Sequence, residues 1–432
     1  MKLCLVTPPQ TYLVHPGAQC SLGVLYVAAA ARRAGHAVVV HNCAGLRLPD
    51  AVHRMPDADV YGFTATTLDY VTDVEGLIMA TRAAHPKAKI VLGGPVYLGP
   101  ECVAPRLVNV LVIGDGEQAI VDILADFEAG RHVDPVYLAP QSDLDTIAPP
   151  ARDLWPGPLG IDGIFAGGKS YYPGGSTVLT TSRGCPFRCA FCANAAMSGP
   201  RVRWREVPAI IAEMEQVVTD FGIRQFRLSD ENLTANETRL NQFCVLMRSS
   251  PILSKGIAWR ASVRAQTGKR VMWENMVAAG CKEISVGIET ADPDILALMQ
   301  KQITVEQGKQ CLREAKQAGL FVRALLMCGL PGETEKTLPL NLKWLMEATF
   351  DMVSLTLFTP WPGCDIWTHP DRYQCDIINT DLRTYNQYFY DGAGANLREP
   401  YIRPWHFEWD RFVNNVEAIR RVAAGLGKLN QG

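Results

Sequence analysis

The sequence predicts two α/β domains in series: an N-terminal doubly wound, Rossmann-like domain, then a (β/α)6 partial TIM barrel with a small C-terminal extension. Three observations predict this. Short apolar runs alternate with helical patterns up to about residue 129, and again from 176 to 358. In the first series the runs are nearly continuous in their hydrophobicity, as strands of a parallel sheet covered on both faces are. A stretch rich in proline and glycine, 131–175, separates the two series.

In the first series KLCLVT (2–7), AVVVH (37–41), DVYGF (59–63), AKIVL (88–92) and VNVLVIG (108–114) read as strands. Segments 21–34, 71–85 and 117–129 between them carry helix-compatible patterns. A doubly wound domain over 1–135 follows, in which ligands sit beyond the carboxyl ends of the strands. The turns at those ends, TPPQTYLVHPG, TATTLDY, GGPVYLGPE and GDGE, are rich in Gly, Pro and Thr, so backbone can approach a ligand closely. Residues 136–175 read as a linker.

The second series, 176–365, has six strand candidates: TVLTTS (177–182), IRQFRLSD (223–230), IAWRASV (257–263), EISVGIE (283–289), LFVRALLMCGL (320–330) and DMVSLTLF (351–358). Helical segments lie at about 206–221, 236–249, 269–279, 304–318 and 334–348. The first shows one apolar stripe, Val207, Ile210, Ile211, Met214, Val217, Val218 and Phe221. The fourth starts with a Thr304/Gln307 capping box and stops at Gly319. Such barrels carry chemistry at the C-terminal ends of their strands. The extension, 366–432, holds an aromatic-rich stretch and a helical segment at 408–426, and is expected to cover a substrate pocket.

Composition narrows the class. Lys plus Arg is 42 against 44 Asp plus Glu, a net charge of −2, which favours neither a nucleic-acid polyanion nor an anionic membrane as partner. No apolar run reaches the roughly 18 residues that span a bilayer. The start, MKLCLVTPPQ, lacks the parts of a signal peptide. A cytoplasmic location is expected. Most of the 13 cysteines are scattered without framework spacing and read as small buried hydrophobes in a reducing compartment.

Cys185, Cys189 and Cys192 are the exception, in TSRGCPFRCAFCANAA (181–196) at the end of the first barrel strand. A structural zinc site wants four ligands, usually two close pairs, and here one C-x-x-C stands with no further Cys or His before Cys244. A thioredoxin-like pair leaves Cys185 without a role. A four-iron cluster ligated by three thiolates keeps one iron open, as catalysis requires.

The spacing resembles the signature of the radical S-adenosylmethionine (SAM) superfamily. The run SVGIETADPDILALMQKQITVEQGKQCLREAKQAGLFVRALLMCGLPGET (285–334) extends the resemblance across 176–360. The resemblance implies a 4Fe-4S cluster whose open iron is chelated by SAM. An electron from a flavodoxin- or ferredoxin-type donor then gives a 5′-deoxyadenosyl radical that abstracts hydrogen from a small-molecule C–H. It also implies roles by strand position: Phe191 near the adenine; Ser229, Asp230 and Glu231 at the SAM amino group; Ser262 and Arg264 at its carboxylate; Glu289 at the ribose; Met327 and Gly329, flanking Cys328, near the adenine.

The front domain is similar to the cobalamin-binding domain of one radical SAM subclass, on Pro8-Pro9, LGVLYVAAAARRAGH (22–36), GGPVYLGPE (93–101) and VIGDGE (112–117). That resemblance implies cobalamin as a cofactor, with Thr7, Pro8, Pro9, Leu22, Gly23, Thr64, Thr66, Thr67, Gly93, Gly94, Pro95, Gly114, Gly116 and Glu117 as contacts. Two departures stand out: no D-x-H-x-x-G offers a histidine to cobalt, and Val96-Tyr97 replaces a common His-Ala pair.

The subclass implies C-methylation of a small metabolite. The alternative is a cobalamin-free dehydratase, epimerase or rearrangement enzyme acting on a polyol or aminosugar, using Glu231 or a thiol of Cys281, Cys328 or Cys364. A non-catalytic iron–sulfur or cobalamin sensor is a third class. Trp361, Tyr385, Tyr388, Tyr390, Arg398 and Trp405 are candidate pocket lining.

Overall fold

The structure, a computed structural model, describes all residues except 12–14, 67–72, 95–106, 200, 266–268, 382–400, 406–408 and 430–432. The chain divides into two compact units, Met1–Ile161 and Asp162–Gly432.

The first unit is built on β1 (Lys2–Thr7), β2 (Ala37–Asn42), β3 (Val60–Thr64), β4 (Lys89–Gly93), β5 (Val110–Ile113) and β6 (Val136–Leu138). They form one parallel sheet in the order β2-β1-β3-β4-β5-β6, a doubly wound arrangement whose strand order reverses beside β1. β1 buries five consecutive residues and β3 four, because helices cover both faces of the central strands. Helix Leu22–Arg33 buries Val24, Leu25 and Tyr26 with its alanines. Helices Glu75–Ala84 and Gly116–Glu128 bury Leu77 and Ile78, and Ile120, Ile123 and Leu124.

Residues 136–138, expected to open a linker, add the sixth strand instead. Val136 and Leu138 are exposed there. The strand is held by its ladder to β5 and by Tyr137 donating to Asp122, and its apolar run of three, set between Pro135 and Pro140, is too short to stand out from a loop.

The second unit contains β7 (Thr177–Leu179), β8 (Ser182–Arg183), β9 (Arg203–Trp204), β10 (Gln225–Leu228), β11 (Ala258–Arg264), β12 (Cys281–Glu289), β13 (Phe321–Cys328) and β14 (Met352–Leu357). Six of them form a parallel sheet in sequence order, β7-β10-β11-β12-β13-β14, the open (β/α)6 barrel that was predicted. The expected strand 177–182 splits. β7 stays in the barrel, and β8 turns away to pair antiparallel with β9.

The barrel strands alternate. β13 reads half-buried, buried throughout, with Val322, Ala324, Leu326 and Cys328 on its buried face, and β14 repeats the pattern. One face packs on the helices and the other lines the lumen. Helix Val207–Phe221 buries all of its predicted stripe except Phe221, which is exposed where Gly222 ends the helix. The capping box of Thr304 and Gln307 is present.

Below the barrel, Ile164 and Phe165 pack on Ala258, and the Ala166 amide donates to Glu283 at 2.6 Å. In its described part the extension packs on the barrel. Helix Trp409–Gly425 buries Phe412, Val416, Ile419 and Ala423 and packs on helix Thr337–Glu347. Beyond it the Lys428 carbonyl accepts from Val353, so the chain end runs along β14, the barrel's free edge, where unpaired backbone groups need a partner.

Candidate functional site

The three cysteines sit in a loop closed at its base by the β8–β9 ribbon and pinned on three sides. The Ala190 amide donates to the Met299 carbonyl at 2.9 Å, and the Ala190 carbonyl accepts from Ile366 at 3.2 Å. Asp230, at the end of β10, holds the start of the loop. It accepts from the Thr181 amide at 3.2 Å, from Thr181 Oγ1 at 2.7 Å and from Ser182 Oγ at 2.5 Å. Glu231 accepts from the Gly184 amide at 3.1 Å and from Ser198 at 3.2 Å. Burial raises both carboxyls above the usual carboxylate range despite these donors. Gly184 has φ +98°, and a Cβ there would stand 2.6 Å from the Arg201 carbonyl. Only glycine closes the ribbon this tightly.

Arg264, at the end of β11, lays its guanidinium on Phe187 at 3.8 Å from the ring centroid, with Nη1 3.3 Å from Cys189 Sγ. Glu289, at the end of β12, takes a left-handed φ of +67° and accepts from Lys301 Nζ at 2.6 Å. Both partners are buried. Lys301 Nζ lies 5.6 Å from the Phe191 ring centroid, so the pair adjoins the cysteine loop. A Cβ at Gly287 would stand 2.7 Å from the Glu289 carboxylate and 2.9 Å from Lys301 Nζ, which is why a glycine sits beneath the pair. A left-handed glutamate in a buried ion pair is the kind of strain that collects at functional sites.

Asp230, Glu231, Arg264 and Glu289 are thus brought to one end of the barrel, around the thiols. Ser229 is exposed, 2.9 Å from Thr180 Oγ1, and Ser262 is exposed one strand further on. Met327 faces the lumen opposite Thr356, and Phe412 of the C-terminal helix lies against Gly329. Trp361 is half-buried in the loop after β14. Tyr385, Tyr388, Tyr390 and Arg398 lie outside the described residues, as do Thr67 and Pro95. Trp405 is exposed beside the short strand Ile402–Pro404 and donates to Asp376.

Cys328 is a correction. It alternates with Met327 and therefore faces the helices, 4% exposed, with its thiol pushed well above the ordinary range by burial. Cys281 and Cys364 are buried too, and burial pushes Cys364 up to about 11.

Sequence reading missed Thr181, Ser182, Arg239 and Lys301. Arg239 donates to the Thr181 and Arg205 carbonyls at 2.9 and 2.7 Å and stacks on Trp204. The one available signal for Lys301 was its place inside the run 285–334, where it stands between Gln300 and Gln302.

In the first unit Thr7, Pro8 and Pro9 end β1, Thr64 and Thr66 lie at the end of β3, Gly93 and Gly94 at the end of β4, and Gly114 follows β5. All stand at the carboxyl edge, as predicted. Thr7 is buried and donates to Asn42 at 2.8 Å. Gly114 has φ +107° and would place a Cβ 2.5 Å from the Ala139 carbonyl; Gly94 would place one 2.4 Å from the Ala65 carbonyl. These glycines are required by the close approach of neighbouring strand ends. Leu22, Gly23, Gly116 and Glu117 open the two helices on that edge. Nothing stands within 4 Å of a Cβ at Gly23.

No three His, Cys, Asp or Glu side chains among the described residues stand close enough to share a single metal ion. The donor set nevertheless fits a cluster. Three thiols leave one loop, Cys185 and Cys192 each feel the charge of Cys189, and the Arg264 cation faces them.

Fold and site together define an iron–sulfur barrel preceded by a cobalamin-type α/β unit. Residues 179–345 match the model of the radical SAM superfamily, and residues 15–124 match that of the B12 binding domain; the chain carries a radical SAM domain and, ahead of it, a B12-binding domain. The cofactors that these two domains imply are a 4Fe-4S cluster, SAM and cobalamin. The chain is 27% identical to the uncharacterized methyltransferase PH0819 of Pyrococcus horikoshii, over 99% of its own length and 98% of the relative's. It is 27% identical to the anaerobic magnesium-protoporphyrin IX monomethyl ester cyclase of Cereibacter sphaeroides, over 81% of this chain and 61% of the cyclase. Among solved structures, the methyltransferase TsrM of Kitasatospora setae, with cobalamin and a [4Fe-4S] cluster bound, superposes with a TM-score of 0.72 at 16% identity, covering 99% of this chain and 90% of that one. No helix among the described residues is long and apolar enough to cross a membrane.

Proposed function

We propose that this protein is a cobalamin-dependent radical SAM enzyme that methylates a carbon of a small metabolite. The observation that carries the reading is the near end-to-end match to a relative named as a methyltransferase, in a chain that holds both cofactor domains. When bound, the cluster, SAM and cobalamin supply the electron, the hydrogen-abstracting radical and the methyl group. Cys185, Cys189 and Cys192 are the ligands proposed for the cluster. Arg264 is the cation proposed for the SAM carboxylate, since a fork of donors suits a planar carboxylate. Ser262 stands beside Arg264 on the same strand end and is proposed for the carboxylate with it, Ser229 and Glu231 are the groups proposed for the amino end, and Glu289, oriented by Lys301, for a hydroxylated part. Asp230 positions the loop through Thr181 and Ser182, and Met327 and Phe191 shield the site from water. The carboxyl edge of the first sheet is proposed for cobalamin.

The test is anaerobic. The protein is reconstituted with iron and sulfide and given SAM and a reductant of the flavodoxin or ferredoxin type, then assayed for 5′-deoxyadenosine and for bound corrinoid after growth with hydroxocobalamin. Deoxyadenosine and stoichiometric corrinoid are expected. A fully reconstituted cluster without deoxyadenosine overturns the radical enzyme, and absence of corrinoid overturns the methyltransferase. Alanine at Cys185, Cys189 or Cys192 is expected to abolish absorbance near ~400 nm.

A further inference from the structure

All three sulfurs of the cysteine loop accept a hydrogen bond, and the donors are not alike. The Phe187 amide donates to Cys185 and the Asn194 amide to Cys192. Both donors are neutral, and each lies two residues beyond its cysteine, so the local turn supplies them. Cys189 is served from elsewhere. Its Sγ lies 3.3 Å from Nη1 of Arg264, 75 positions along the chain at the end of β11. That donor is a cation at any working pH. It is also held in place. The guanidinium lies on the Phe187 ring, 3.8 Å from the centroid, so the residue whose amide serves Cys185 carries the cation that serves Cys189. Behind it the Arg264 amide donates to Asn232 Oδ1 at 3.2 Å, and Asn232, itself buried, receives Thr234 on the same oxygen at 2.9 Å. Arg264 is 5% exposed, and a charge buried this far is screened little by water or salt. Arg188, the chain neighbour of Cys189, is exposed, and its charge is screened.

Net charge and hydrogen bonds to the sulfurs are levers by which a protein sets the potential of an iron–sulfur cluster. The amides at Cys185 and Cys192 bring dipoles; Arg264 brings a whole charge. A cation that donates to a thiolate ligand favours the state holding the extra electron, because that state is the more negative of the two. We propose that Arg264 is a redox-tuning donor to Cys189, which raises the reduction potential of the cluster and eases the arrival of an electron from a flavodoxin- or ferredoxin-type protein. This role rests on the cluster ligands proposed above. It does not depend on the same guanidinium meeting the SAM carboxylate.

The test is a redox titration of the reconstituted full chain, followed by electron paramagnetic resonance, with dithionite as reductant. SAM is left out, so that no contact of Arg264 with its carboxylate contributes. Arg264→Gln, which loses the charge, is expected to lower the midpoint potential by about 59 mV, a tenfold shift in the one-electron equilibrium, with the absorbance near ~400 nm retained. Arg264→Lys, which keeps the charge, is expected to fall by less. A loaded Arg264→Gln cluster with the wild-type midpoint overturns the tuning role alone. A wild-type chain that takes up no cluster overturns the ligand assignment, and the tuning role with it. A second measurement needs no change at Arg264. In wild-type protein carrying arginine isotopically labelled at the guanidinium nitrogens, pulsed resonance of the reduced cluster is expected to show a coupling to the label. The coupling is expected to persist in Arg188→Gln, which removes the other arginine beside Cys189. Its absence from the wild type, or its loss in Arg188→Gln, overturns the contact.

Discussion

The two sheets of this chain are both parallel and both built by β-α alternation, yet they put chemistry in different places. In the first, β1 buries five residues in a row, because helices cover both faces, and no side chain of the sheet interior is free to meet a ligand. Function is left to the carboxyl edge, where backbone approaches backbone so closely that Gly94 and Gly114 admit no side chain. In the second, β13 and β14 alternate buried with half-buried residues, because the sheet curls and only its outer face meets helices. The inner face then holds arginine, glutamate and serine, and polar side chains extend from the rim into the lumen. The lesson is that continuity of hydrophobicity, rather than strand count, tells which parallel sheet keeps its chemistry at the edge.

If that difference is real, polar deletions hurt the barrel, and added methyl groups hurt the first unit. The largest effect is expected for Lys301→Met, which leaves Glu289 as an unpaired buried carboxylate. Breaking such a pair costs about 3–5 kcal/mol, to be read as lost amide-exchange protection in β12 and β13 with the first unit unaffected. Gly114→Ala is expected to cost about 3 kcal/mol from its φ of +107° and the Ala139 carbonyl 2.5 Å away. The loss of protection there should appear in β5 and β6, and an unchanged exchange profile would remove the packing argument.

Glu333→Gln tests the buried polar side of the comparison through pH. Glu333 accepts from the Gly329 and Leu330 amides at 2.7 and 3.0 Å, and burial pushes it up to about 7 from 4.5. The folded state holds this proton more tightly than the unfolded chain does. Its contribution to stability is therefore complete below about pH 4.5 and is lost as pH rises through about 7, by up to about 3 kcal/mol. Glutamine keeps both hydrogen bonds and carries no charge, so the variant is expected to gain on the wild type between pH 5 and 7 in denaturant titrations; parallel curves would contradict this. The smallest effect is expected for Gly23→Ala, which meets nothing within 4 Å in helix Leu22–Arg33 and is expected to stabilise the first unit by about 0.5–1 kcal/mol. Corrinoid uptake measured on the same protein decides Gly23's place at the cofactor: full uptake removes it from the contact set.

Much of the fold is local and could be read from the chain. The helix stripe at 207–218, the capping box at Thr304 and the apolar runs of β1 to β5 depend on neighbours within a few residues. β6 escaped because its three apolar residues stand between Pro135 and Pro140 in a proline-rich stretch, and the bend after β7 escaped because TVLTTS contains nothing that marks where a strand leaves one sheet for another. The cysteine loop was legible for the same local reason, and so was its place after the first barrel strand.

By itself the sequence determined the order of elements, the two α/β units and the three thiols on one turn, since each is written in periodicity or spacing along the chain. The tertiary structure alone decided that Asp230 ties down Thr181 and Ser182, that Lys301 meets Glu289, that Cys328 turns its thiol to the helices, and that Arg264 reaches Cys189. Those pairings join residues tens of positions apart, and their partners are chosen by strand register and by the face each side chain takes, neither of which any single segment encodes.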